Sequence, residues 1–427
     1  MAPGATFVER LARLIAHVFY RVDAVGTVPS DGALLLLPNH PNALLDPALV
    51  IATAGRPVRF IAKSTLFGGP LATVLRASGA IPVFRKQDEG VNVKRNTETF
   101  AAVDAALAHG DAICIFPEGL SHSTGRLEPL RTGAARMALS AAARGVAVQL
   151  VPVGINPEEK TSFRSRMTVV YGRPFEVRAG TPVPAVTAEI TERIRNVIVE
   201  ANPEADAELV MRIDRLYTSE RDSDGDAGAS VERRRTIAAG LDRLRQENPE
   251  WYESALLQLR RYDQRLRRFG LRDRTLDWDP SMKDAARFIA REAPLAVVLV
   301  PIALTAIVVF AIPYALTAGV ARLQRETDVT ATAKVISGTI FYAAWTALLA
   351  VLTGLWLGTA AGLLTVVALP ALAAAGLYAL ERESAALRTA RSWLALRGAH
   401  PTTRQRLRRH RAELADVLDE VNTWLHS

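Results

Sequence analysis

Between residue 23 and about residue 185, short apolar runs alternate with longer mixed stretches. Ala33–Leu37, Val58–Ala62, Ala80–Phe84, Ala112–Phe116 and Val146–Val153 are short and continuously apolar. That is the pattern of strands covered on both faces. Met167–Tyr171 reads as a late edge strand. Helices are expected over Pro47–Thr53, Leu71–Ser78, Asn92–His109 and Gly133–Ala143. Pro47 suits a first helical position, with Asp46 as the cap before it. Strands alternating with helices predict an α/β domain, a mostly parallel sheet flanked by helices. Such sheets bind ligands beyond the carboxyl ends of their strands. His40, Lys63, Arg85 and Glu118 all follow apolar runs.

The pattern then changes. Residues 186–291 read as a helical region, with a polar linker at 222–229. Ala293–Ala321 and Val335–Leu380 carry no charged residue. About 20 apolar residues cross a bilayer as a helix. The first tract is long enough for one crossing and the second for two, with the turn expected within Gly354–Gly362. Residues 292–381 are therefore expected to be membrane-embedded, as a C-terminal transmembrane helical region. Residues 382–427 form a basic helical tail. It carries Arg388, Arg391, Arg397, Arg404, Arg406, Arg408, Arg409 and Arg411, with no acid between the first and the last. Residues 1–22 put Phe7, Leu11, Leu14, Ile15, Val18 and Phe19 on one helical face. That suits an amphipathic helix in the membrane interface; the alternative is a helix packed on its own domain. Glu9, Arg10 and Arg13 interrupt the apolar run, which is unlike a cleaved signal. The α/β domain is expected over 23–185.

Charge and composition refine this picture. The chain has 427 residues, 49% of them hydrophobic, and a net charge of +8. A basic chain seeks nucleic acid, anionic lipid or phosphorylated substrates. The apolar tracts favour membrane lipid and argue against nucleic acid. One cysteine, Cys114, excludes disulfides and cysteine zinc clusters within the chain. Asp222, Asp224 and Asp226 have the spacing of a calcium loop but lack its closing glutamate. No metal is expected.

The candidate chemistry begins in Leu34–Asp46, LLLLPNHPNALLD. A histidine can take a proton from an alcohol when a carboxylate holds its other ring nitrogen. His40 and Asp46 are the candidate pair. The plainer reading is a loop histidine and a helix cap. Phe116–Ser121, FPEGLS, is a strand end followed by a tight turn that exposes backbone N–H groups to an anion. Glu118 can accept hydrogen bonds from a polyol, and Ser121 can bond a phosphate. Lys63, Arg85, Lys86, Arg126 and Arg131 supply a basic rim, and arginine is well shaped for phosphate.

At these residues the chain resembles the glycerolipid acyltransferase family. NHPNALLD matches the family's His–Asp block and GAIPVFRK its strand ending in arginine. FPEGLS matches its Phe-Pro-Glu-Gly block, and Val151–Gly154 its Val-Pro-Val-Gly block. The matches span about residues 30–175. The resemblance implies His40 as base, Asp46 as its partner, and Arg85, Glu118 and Gly119 near the acceptor. Five residues separate His40 from Asp46, where the family usually has four. His40 must then sit in the loop before the helix, or the turn must bulge. The longer spacing and the FPEGLSH stretch resemble the fungal glycerol-3-phosphate and dihydroxyacetone-phosphate acyltransferases.

The expected function is acyl transfer to a hydroxyl of glycerol 3-phosphate or 1-acylglycerol 3-phosphate, in phospholipid biosynthesis. The donor, acyl-CoA or acyl-carrier protein, is a substrate, and no cofactor is implied. The rivals are a non-catalytic membrane adaptor and a lipid hydrolase. The hydrolase lacks its G-x-S-x-G elbow here. The catalytic domain is expected in the cytoplasm, on a cell-membrane protein that is multi-pass or re-entrant. Three plain crossings fit the lengths. A two-span hairpin over Val335–Leu380, with Ala293–Ala321 broken at Pro294, Pro301 and Pro313 and re-entrant, fits the charges.

Overall fold

The computed structural model describes residues 3–43, 45–68, 72–84, 96–122, 126–159, 162–201, 206–221, 226–277, 281–323, 327–398 and 401–426. The chain divides into two compact units. The first is Met1–Met211 with Gly225–Ala239 and Glu326–Thr332; the second is Arg212–Asp224, Gly240–Arg325 and Ala333–Ser427.

The first unit is an α/β layer. After helix α1 (Pro3–Phe19) come β1 (Arg21–Val25), β2 (Ala33–Pro38), α2 (Leu45–Thr53), β3 (Val58–Lys63), α3 (Ala72–Ala77) and β4 (Ile81–Val83). Then follow α4 (Asn96–Ala108), β5 (Ala112–Cys114), α5 (Gly133–Ala143), β6 (Val148–Pro157), β7 (Arg166–Tyr171) and α6 (Val183–Arg195). The strands form one sheet in the order β1-β7-β6-β2-β5-β3-β4. Every pairing is parallel except β6 with β7. β2 is buried along its whole length, as its leucine run requires. The core joins Leu35, Leu37, Ile113 and Leu150 of the sheet to Val103, Met137, Ile190 and Ile194 of the helices.

Three expectations change. β7 is not an edge strand, because β1 pairs with its outer side. β1 escaped the pattern because it is largely solvent-facing and so lacks an apolar run. The domain does not stop at residue 185. Val186, Ile190, Ile194, Val197 and Ile198, in and after α6, belong to the same core as the sheet. Finally, α1 buries Val8, Ala12, Ala16 and Phe19 and leaves Leu14 and Val18 exposed. One stripe of it is therefore committed to the protein.

The second unit is helical. α7 (Asp206–Arg221) and α8 (Ala227–Glu247) straddle the two units, and α9 (Pro249–Arg268) precedes three long helices. These are α10 (Met282–Leu323), α11 (Thr327–Leu357) and α12 (Thr359–Gly398); α13 (Pro401–His426) ends the chain. α10, α11 over Ala333–Leu357, and α12 are each long and apolar enough to cross a membrane. α10 runs unbroken through Pro294, Pro301 and Pro313, so the expected break is not there. The turn within Gly354–Gly362 falls at Gly358, whose φ of +96° is readily reached by glycine. α12 continues through the expected boundary at residue 381 into the basic tail. Two of the tail's arginines are committed locally. Arg411 is buried against Glu220 and Asp277, and Arg408 meets Asp277 and the Leu276 carbonyl.

Gly154 has a packing reason. A Cβ there would lie 1.9 Å from the Val197 carbonyl oxygen. The same carbonyl accepts from Asn156 Nδ2 at 2.9 Å, and Asn156 Oδ1 accepts from the Val199 amide at 2.8 Å. The strand and the segment after α6 are thus held too close for any side chain. Gly154→Ala should destabilise the domain by about 1–3 kcal/mol, the usual range for overpacking. Thermal unfolding of the variant checks this.

Candidate active site

The sheet register brings the two candidate motifs together. Leu36 of β2 pairs with Cys114 of β5, and the Ile115 amide still donates to the Leu36 carbonyl at 3.1 Å. Continued in step beyond the strands, His40 comes level with Glu118. The His40 amide indeed donates to Glu118 Oε1 at 2.8 Å. The chain leaves β2 for β3 on one side and leaves β5 for β6 on the other. The loops therefore diverge at the β2/β5 carboxyl edge, where open parallel sheets form their ligand crevice.

The His40 loop is short and strained. Ala43 has a φ of +46°, a left-handed conformation that costs a non-glycine residue energy. α2 starts at Leu45, so Asp46 lies inside its first turn and not before it. The left-handed turn takes up the longer spacing and folds His40 back over the helix start. His40 Nδ1 is 2.8 Å from Asp46 Oδ2. Asp46 Oδ2 also accepts from the Asn42 amide at 2.7 Å. The Asp46 side chain is fully buried, whereas the His40 side chain is 17% exposed. A buried carboxylate acts on a ring that solvent can still reach. It fixes the tautomer with the proton on Nδ1 and leaves Nε2 as the acceptor.

Stacking also holds the ring. Phe116 stacks on His40 with centroids 3.9 Å apart and planes 21° apart. Behind it, Asn42 Nδ2 donates to the buried Tyr20 hydroxyl. Burial pushes the Tyr20 phenol up from its ordinary value, and the Asp46 charge adds to that. The phenol stays protonated at neutral pH. Burial likewise pushes the Cys114 thiol up, with Asp46 contributing, so Cys114 is an inert core residue.

Glu118 is placed differently from the polyol-binding role its motif suggests. It is 1% exposed. One oxygen accepts from the His40 amide, and the other meets the Glu128 amide at 2.8 Å and His122 Nε2. The His122 amide also donates to the His40 carbonyl at 3.3 Å. Glu118 thus ties the His40 loop to His122 and Glu128, with protein donors on both of its oxygens. Gly119 turns at φ +75°, and Arg131 Cγ would lie 3.2 Å from any Cβ there. The Arg131 amide donates to the Pro117 carbonyl at 2.7 Å, which closes the turn. Its side chain is exposed beside that turn. Ser121 is half-buried on the same loop, Arg126 is exposed, and Lys63 is half-buried at the carboxyl end of β3. Arg85 and Lys86 lie outside the described residues.

Tyr20, Asn42, Phe116 and His122 were not singled out from the sequence. Asn42 and His122 stand inside the motifs, but their partners are distant in the chain. Phe116 looked like one more strand residue, and Tyr20 precedes the strand that the pattern missed.

Residues 20–156 match the family model described as Acyltransferase. Over 84 residues the chain is 42% identical to glycerol-3-phosphate O-acyltransferase 2 of Saccharomyces cerevisiae, covering 19% of this chain and 11% of that protein. Over 185 residues it is 29% identical to glycerol-3-phosphate O-acyltransferase 1 of the same yeast, covering 40% and 24%. The matches therefore span a quarter or less of those relatives. Among solved structures, the 1-acyl-sn-glycerophosphate (LPA) acyltransferase PlsC of Thermotoga maritima aligns with 45% of this chain and 77% of its own. The identity there is 19% and the TM-score 0.37. The family match begins at Tyr20, ends at Asn156 and contains both the His40–Asp46 pair and the Glu118 turn; this region is an acyltransferase-family domain.

Proposed function

We propose that the chain is a membrane-associated O-acyltransferase that moves a fatty acyl group from a thioester to a hydroxyl of a phosphorylated glycerol. The carrying observation is the imidazole of His40, held at Nδ1 by a fully buried carboxylate and stacked on Phe116. That arrangement supplies a base at Nε2 and needs no nucleophilic side chain, because the substrate hydroxyl is the nucleophile.

The reaction balances as follows. His40 Nε2 takes the hydroxyl proton as the oxygen attacks the thioester carbonyl. The imidazolium that forms is stabilised by the Asp46 charge. The tetrahedral oxyanion collapses, the C–S bond breaks, and the imidazolium returns its proton to the leaving thiolate. Acyl-CoA or acyl-carrier protein is the donor. Glycerol 3-phosphate is the favoured acceptor, because the matched yeast proteins carry that name; 1-acylglycerol 3-phosphate is the alternative. Rates on the two acceptors distinguish them. We assign the acceptor phosphate to Arg131, beside the Gly119 turn, with Lys63, Ser121 and Arg126 as its partners in that role. Glu118 acts as a positioning residue for the His40 loop.

The apolar helices support attachment to the cell membrane, and we place the catalytic domain on the cytoplasmic side, where thioester donors are. The exposed Leu14 and Val18 of α1 suit contact with the lipid interface.

His40→Ala should lower kcat by about 10²–10⁴-fold, the usual worth of a general base, without loss of fold. Steady-state kinetics beside a thermal melt check this. Asp46→Asn keeps an acceptor for the Asn42 amide but removes the charge. It should lower kcat far more than it raises KM for either substrate, and a fully active variant would remove Asp46 from the mechanism. Glu118→Gln replaces one accepting oxygen with a donor that faces backbone N–H groups. Leaving a buried donor unsatisfied costs about 1–3 kcal/mol. The variant should lose stability and kcat together, with KM for the acceptor nearly constant. A rise in that KM alone would instead assign Glu118 to acceptor binding.

A further inference from the structure

The His40 loop leaves β2 between two neighbouring strands, β6 and β5. On the β6 side it is anchored like a strand. The Asn39 amide donates to the Val153 carbonyl at 3.3 Å. The Asn39 side chain then extends the ladder: Nδ2 donates to the Ile155 carbonyl at 3.2 Å, and Oδ1 accepts from the Ile155 amide at 2.7 Å. On the other side β5 ends at Cys114, and a loop takes over. The anchor on that side runs through His122.

His122 meets the His40 loop twice. Its amide donates to the His40 carbonyl at 3.3 Å. Its imidazole Nε2 bonds Glu118 Oε2, and the other Glu118 oxygen accepts from the His40 amide at 2.8 Å. These bonds close a ring through the His40 main chain, the Glu118 carboxylate, and the imidazole and backbone of His122. Both polar groups of the His40 main chain are thereby tied to one partner loop. Peptide groups are planar, so the tie sets the planes on either side of the His40 Cα. The direction of its Cα–Cβ bond follows. The imidazole that Asp46 and Phe116 hold at its tip is thus also aimed from its root.

The side chain of His122 matters to that ring because Glu118 is shut away from water. The Glu118 side chain is fully buried, and that of His122 is 11% exposed. A buried carboxylate is stable only when hydrogen bonds replace its hydration. Oε2 receives one from the Glu128 amide and one from His122. An ionised carboxylate only accepts, so in this contact Nε2 of His122 carries the proton. The two histidines have different tasks. His40 is held at Nδ1 and offers Nε2 to a substrate, whereas Nε2 of His122 is committed to Glu118.

We propose that His122 is a positioning residue for acyl transfer. It acts through Glu118 to hold the His40 main chain where Nε2 faces the substrate hydroxyl. The proposal rests on His40 as the base and adds a side chain that touches no reacting atom. A misplacement of about 1 Å at a reacting group costs on the order of 10²-fold in rate.

Three variants of the whole chain test this, assayed with a long-chain acyl-CoA and with glycerol 3-phosphate or 1-acylglycerol 3-phosphate. A thermal melt of each puts rates on a folded-protein basis. His122→Leu keeps bulk and the backbone amide but removes the side-chain donor. It should lower kcat by about 10²-fold, with KM for both substrates nearly unchanged. His122→Gln sets an amide nitrogen where Nε2 stood and should recover most of that loss. His122→Asn, whose nitrogen falls at the Nδ1 position, should not. Wild-type kcat in His122→Leu would overturn the proposal, and so would Gln and Asn variants that behave alike. If the leucine variant does not fold, the Gln–Asn comparison decides. A rise in acceptor KM with kcat kept would make His122 a binding residue and overturn its positioning role. His40→Ala separates the two levels. If it stays active, the base assignment itself falls; if it is inactive while His122→Leu is fully active, only the role of His122 falls.

Discussion

The active-site end of the sheet depends on one buried charge. Asp46 is sequestered from water, and one of its oxygens meets both the Asn42 amide and His40 Nδ1. A carboxylate in that position is tolerable only if hydrogen bonds replace its hydration. The left-handed Ala43 is what allows those bonds to form, because it folds the loop back over the first turn of α2. The constraint also runs outward. Phe116 can stack on the ring only while β2 and β5 keep their register, and Glu118 can reach the His40 amide only for the same reason.

Much of this was legible in the sequence, where packing dictated the pattern. The leucine run of β2, the apolar β5 and the Gly133–Ala143 helix follow directly from burial on both faces or on one stripe. β1 was not legible, since an exposed strand at the sheet edge buries too little to leave an apolar signature. Its absence misassigned β7 to the edge. The domain end was misread for a related reason. α6 looks like the start of a separate helical region, yet Ile190 and Ile194 complete the core under β2 and β6.

The candidate pair at His40 and Asp46 could be read from spacing and residue type alone. The role of Glu118 could not. A glutamate after a strand reads as a solvent-facing ligand, and only the register shows both its oxygens taken by the backbone and by His122. The motif's glutamate, viewed physically, is a tie between two loops. Beside it, Arg131 is seated against the Gly119 turn.

Length and hydropathy did not separate the topologies of the apolar region, because α10, α11 and α12 satisfy the same criterion. In lipid, helices associate through close backbone approach and through polar pairs, since apolar side chains gain little over lipid tails. α10 and α12 have both, the Gly376–Ala306 seat and the Glu292–Arg382 pair. A charge pair is cheapest where α10's uncharged tract ends, and Glu292 stands one residue outside it. That contact joins α10 and α12 at the point where α10's uncharged tract begins.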